Sequence, residues 1–130
     1  MKSIIKSLLI LLVVIYTSCS NKGSSGPPAD QPITFTHNAG AATQNPGATM
    51  PFAVTLTSAM PASGIKVDVT TETEVGGTAV SNSTVSGSSA TVNLSVTGLP
   101  RQVWCVTTVK VSSVGTPSNS ATQIFRVVNK

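Results

Sequence analysis

From Pro32 to the end of the chain, apolar residues recur at every second position in short runs, and turn residues separate one run from the next. A period of two sends successive side chains to opposite faces, which is strand geometry and does not match the 3.6-residue repeat of a helix. Phe52, Val54 and Leu56 share one parity, as do Ile65, Val67 and Val69, and later Ala90, Val92, Leu94 and Val96. Most of the intervening positions hold Thr, Ser, Asn, Lys or Asp, so each strand has one dry and one wet face. Composition agrees: only 9% of residues are charged and 4% aromatic, while Ser, Thr, Val and Gly abound. That mixture disfavours helix and suits a pleated, half-buried surface.

The runs predict strands over 33–36, 52–57, 65–70, 90–97, 103–111 and 122–128. The stretch 78–85 offers one weak strand or two fragments. Pro61 and Gly64, Gly76-Gly77, Gly98-Leu99-Pro100 and Gly115-Thr116-Pro117 mark the turns, and the segment between the first two strands reads as a loop rich in Gly, Asn and Pro. About seven antiparallel strands in roughly a hundred residues are the dimensions of a single immunoglobulin-like β-sandwich, placed over 32–130.

Two different segments precede it. Residues 1–18 combine Lys2 and Lys6 with an apolar run, Leu8 to Ile15, about half as long as a membrane-crossing helix needs. A basic start, a short apolar core and small residues form the secretory signal pattern. Tyr16-Thr17-Ser18-Cys19 then resembles a bacterial lipobox, in which small residues precede a cysteine; Tyr16 departs from the usual aliphatic residue, as in Bacteroidota-type lipoproteins. The resemblance implies that Cys19 becomes a lipid-bearing thioether at the mature N-terminus, with enough acyl chains for stable membrane anchoring. Residues 19–31 (CSNKGSSGPPADQ) would then be the lipidated cysteine and a disordered tether. Attachment to the outer membrane is expected. No acidic residue follows Cys19 until Asp30, which leaves the periplasmic and surface-facing sides both open.

The formal charge of +4 includes Lys2 and Lys6, so the chain beyond the signal is close to neutral. Its basic residues are scattered, whereas nucleic-acid binding needs a concentrated patch; no nucleic-acid partner is expected. With Cys19 acylated, Cys105 lacks a disulfide partner and reads as a small buried hydrophobe. A Cys–His nucleophile would have to recruit His37, the single histidine of the chain. No cofactor, metal or catalytic residue is assigned, and an enzyme is not expected.

The later half resembles bacterial fibronectin type III and related immunoglobulin-like modules through Ala90 to Pro100, an alternating strand ending in a Leu-Pro corner, and Val109 to Ser118, a strand entering a Gly/Ser-rich hairpin. That family's tyrosine in the penultimate strand and its early tryptophan have no clear match here. A weaker likeness over Val54 to Ala79 is to Calx-beta modules, which bind calcium through loop carboxylates. This chain has few acids for that purpose, and calcium wants six to eight oxygens.

Two groups of residues remain as candidate sites. Asp68, Glu72 and Glu74 share the parity of Lys66 and would line one outward face; they read as a metal or acid–base site, or more simply as a solvated strand edge. Val103, Cys105, Thr107, Val109 and Val111 are assigned to the core, which sends Trp104 and Val106 outward. A surface tryptophan beside a valine can stack on a sugar or anchor a protein partner; the plainer alternative is a β-bulge that flips the parity, or the tether or a loop lying over the ring. The expected role is therefore a membrane-anchored, non-enzymatic binding or adhesion module for a glycan or an envelope protein. The alternative is a structural subunit of an outer-membrane complex or surface fibre.

Overall fold

A computed structural model describes residues 29–130; the signal segment, Cys19 and the tether up to residue 28 lie outside the described residues. The runs of alternating residues form eight strands: β1 (Phe35–His37), β2 (Ala42–Asn45), β3 (Met50–Leu56), β4 (Ile65–Thr73), β5 (Ala79–Gly87), β6 (Thr91–Val96), β7 (Trp104–Ser113) and β8 (Ser120–Asn129). They make two sheets, one in the order β1-β3-β6 and one in the order β2-β8-β7-β4-β5. The protein is an all-β sandwich, and no helix occurs among the described residues.

The dry faces of the two sheets close on each other. Phe52, Val54, Leu56, Leu94 and Val96 come from the three-stranded sheet; Ile65, Val67, Val69, Cys105, Val109, Val111, Phe125 and Val127 come from the five-stranded one. Phe52 and Phe125 meet edge to face across the gap, with ring centroids 5.2 Å apart. Each large side chain buried this way contributes about 1.5–3 kcal/mol from area removed from water. One polar pair sits inside the apolar layer: Thr71 and Thr107 face each other on β4 and β7, fully buried, with their hydroxyls 2.9 Å apart. Each answers the other, which makes the burial tolerable.

The structure departs from the expected strand map in three places and decides the alternative left open over 78–85 in favour of one strand. β2 occupies what read as loop, and it pairs parallel with β8, in register Ala42 with Arg126 to Asn45 with Asn129. The expected set of about seven antiparallel strands is thus eight, with one parallel pair. Ala-Thr-Gln-Asn carries no large apolar residue, so no hydrophobic pattern announces the strand. Its support is backbone pairing, closed by the Asn45 side chain donating to the carbonyls of Gly47 and Thr49. Residues 79–87 form one continuous strand, with a bulge opposite Thr71 and Glu72. Two residues assigned inward are exposed: Ala90, just before β6, and Val103, just before β7. Finally, β4 is not an edge; β7 and β5 flank it, so the carboxylates on it do not guard a free strand.

The end of the expected tether belongs to the domain. Ser113 donates its hydroxyl to Asp30, Asn119 donates to the Gln31 carbonyl at 2.8 Å, and the Ile33 N–H reaches the Asn119 side-chain oxygen at 3.0 Å. These bonds pin residues 30–33 against the β7–β8 hairpin.

Candidate functional site

The outward face of the five-stranded sheet carries the polar half of the alternation. Trp104, Val106 and Thr108 on β7 are half-buried there, while Cys105, Thr107 and Val109 between them are wholly buried. The parity read from sequence therefore places Trp104 and Val106 correctly. On the neighbouring strands, register sets Glu72 beside Val106 and Arg126 on its other side. The chain continues past β4 to Glu74, whose N–H donates to the Trp104 carbonyl at 2.8 Å.

Three side chains interlock at this end of the sheet. The Arg126 guanidinium lies 4.7 Å above the centre of the Trp104 ring, a cation–π contact that covers one ring face. The same guanidinium donates to the Glu74 carboxylate. Both charged side chains are partly solvent-exposed, so the pair contributes to geometry more than to stability. Trp104 is thus held in place with one face covered by a cation, which is neither the bare platform nor the loop-covered ring weighed from sequence.

Beside this cluster lies a shallow cleft of about 250 Å³, lined by Thr70, Glu72, Glu74, Gly77, Val106 and Thr108 among others. The β4–β5 turn forms one wall. Thr73 ties it, accepting from the Thr78 N–H at 2.9 Å and donating to the Val75 carbonyl at 2.9 Å. Gly76 and Gly77 both have positive φ, 88° and 60°, a region few other residues adopt. Val75 stands at the tip, 89% exposed. The cleft offers hydroxyls, two carboxylates and one apolar side chain. Glu72 has no ion-pair partner among the described residues.

Asp68 sits further along the face. Partial burial pushes its carboxyl up, but the Thr84 and Lys66 hydrogen bonds and the Lys66 and Lys110 charges outweigh that and hold it below the usual range. Lys66 approaches it at 3.0 Å and Thr84 donates to it at 2.7 Å. Asp68 and Glu74 are each committed to a cation, and among the described residues no three Asp, Glu, His or Cys side chains gather to hold a metal. Cys105 lies in the core, where burial pushes its thiol up. His37 packs on Phe125 with ring centroids 5.1 Å apart.

The residues sequence reasoning missed are Arg126 and Val75. Arg126 stands out as a cation within the run Ile124-Phe125-Arg126-Val127-Val128, and its parity marks it as outward. Its contact with Trp104 depends on β7 and β8 being neighbours, which no local pattern states. Comparison with known protein families and with curated proteins finds no match to this chain.

Proposed function

We propose that this chain is a lipid-anchored protein of the bacterial cell envelope, attached through Cys19, whose sandwich is a non-enzymatic binding module for a glycan. The fibronectin type III-like resemblance and the layout of two sheets of three and five strands support an immunoglobulin-like assignment. The observation that carries the binding reading is the fixed Trp104–Arg126–Glu74 cluster beside the threonine-lined cleft. Sugars present alternating apolar ring faces and hydroxyls, and an aromatic edge flanked by carboxylates and hydroxyls answers both.

Position supports the same reading. The N-terminal residues are pinned at the β7–β8 hairpin, whereas Trp104, Glu74 and the β4–β5 turn occupy the opposite end of the sheet. β7 separates the two ends by about 30 Å at the usual strand rise. An anchor before residue 29 would then attach at the end of the domain opposite the cleft, which keeps the attachment point clear of an envelope ligand.

Tryptophan fluorescence tests the proposal, because Trp104 is the chain's one tryptophan. Titration with soluble envelope glycans is expected to shift its emission and to protect it from a soluble quencher, and Glu72→Gln is expected to weaken the response. Emission unmoved by every glycan tried, alongside binding that survives Trp104→Ala, would place the binding surface elsewhere. A second reading, an assembly subunit, is favoured by a different feature, the long uncharged edge strand β5.

A further inference from the structure

Among the described residues, the cleft beside Trp104 is lined by hydroxyls, carboxylates and Val106, and by no cation. Arg126 stands two strands from Glu72, across Val106, about 10 Å away at the usual strand spacing. Its guanidinium is already engaged twice, by the Trp104 ring and by the Glu74 carboxylate. Lys66 and Lys110 stand beside Asp68, four residues along β4 from Glu72. That is about 13 Å of strand, beyond the roughly 8 Å over which exposed charges act in physiological salt. Glu72 is thus the one carboxylate of the cleft without a cation among the described residues.

Register groups four of the lining side chains into a square. Glu72 faces Val106 across the β4–β7 pair, and two residues back Thr70 faces Thr108. Neighbouring strands lie about 4.8 Å apart and alternate residues about 6.7 Å, so a carboxylate, an apolar contact and two hydroxyls come within reach of one small ligand. The third threonine of the cleft, Thr73, has its hydroxyl tied into the β4–β5 turn by two hydrogen bonds. The Glu72 carboxylate leans toward that turn: a Cβ on Gly77 would stand 3.9 Å from its Oε2. Glycine at that position leaves the approach to the carboxylate open.

We propose that the cleft selects an amino sugar with its amine free, and that Glu72 is the residue that determines this choice. The inference rests on the glycan reading above and names its substrate class. A protonated amine answers Glu72 with a charge-assisted hydrogen bond, while the apolar ring face lies on Val106 and ring hydroxyls meet Thr70 and Thr108. A lysine side chain would use Glu72 and Val106 and leave both threonines unanswered. A divalent cation such as calcium wants about six or more oxygens, and Glu74 is already engaged by Arg126. Acidic sugars meet Glu72 with like charge and find no free cation in the cleft.

Calorimetric titration of the full chain in detergent with soluble probes tests the selectivity. The probes are a glucosamine oligomer, its N-acetylated counterpart, a uronic acid oligomer and a lysine peptide. In a mildly acidic buffer that protonates its amines, the glucosamine oligomer is expected to bind at least about fivefold more tightly than the other three. Glu72→Gln is expected to erase that preference. An N-acetylated or uronic oligomer bound as tightly as the glucosamine oligomer overturns the selectivity and leaves the glycan reading standing. A lysine peptide bound equally well also overturns it, because ammonium capture alone would then suffice, and so does a preference that survives Glu72→Gln. Failure of every oligomer to bind overturns this inference and the glycan reading together.

Discussion

Single residues show most clearly how this fold manages polarity. Thr71 and Thr107 are both fully buried, and each hydroxyl has the other as its partner at 2.9 Å. Replacing one by valine keeps the shape and strands the other hydroxyl, so Thr71→Val is expected to cost about 1–3 kcal/mol. The Thr71→Val/Thr107→Val double variant removes both polar groups and is expected to return close to wild-type stability. Urea denaturation of the three variants checks this, and a double variant as unstable as the sum of the singles would contradict it. Trp104 teaches a related lesson. Alternation along β7 marks the side chain as outward, but its cap, Arg126, arrives from β8 through register. The parity was legible in sequence; the covering cation was not.

At the scale of elements, turns fix what alternation leaves open. Gly64 enters β4 with φ at 81°, and a Cβ there would stand 2.7 Å from the Gly87 carbonyl oxygen at the end of β5. Its N–H donates to the Pro61 carbonyl, and its own carbonyl accepts from Val114. Gly64→Ala therefore combines an unfavourable φ with a clash against backbone, and a loss of at least about 1 kcal/mol is expected. A lowered thermal midpoint checks this, and an unchanged one would mean that the turn can reshape. The six longer strands, β3 to β8, are recoverable from the sequence because their apolar positions or flanking turn residues declare them. β2 is not, since Ala42 to Asn45 bury little and owe their strand conformation to the parallel backbone pairing with β8. A four-residue strand held by main-chain bonds has no side-chain signature to read.

For the molecule as a whole, the N-terminal segment sets orientation. Asp30, Gln31 and Ile33 bind the β7–β8 hairpin, which gives the sandwich one attached end and one free end. If Cys19 carries the lipid, Cys19→Ala should move the protein from the membrane fraction to the soluble one while its β-sheet circular dichroism is unchanged. Unaltered fractionation would remove the anchor and, with it, the reason to regard the Trp104 end as membrane-distal. From sequence Asp68, Glu72 and Glu74 read as an edge's defence; in the sheet β4 lies between β7 and β5, and cations stand beside Asp68 and, just past the strand, Glu74. The undefended edge is β5, whose lack of charge was visible throughout but had no meaning until its place was known.

The sequence by itself determined the all-β class, the faces of the main strands and most of the core, because a period of two is a local property that each strand carries in its own residues. Tertiary structure alone decided which strands are neighbours, and therefore that Arg126 meets Trp104, that Glu74 closes the cluster, that β2 exists and that β5 is an edge. Strand order is a long-range outcome of burying both sheets' dry faces at once, and no window of a few residues contains it.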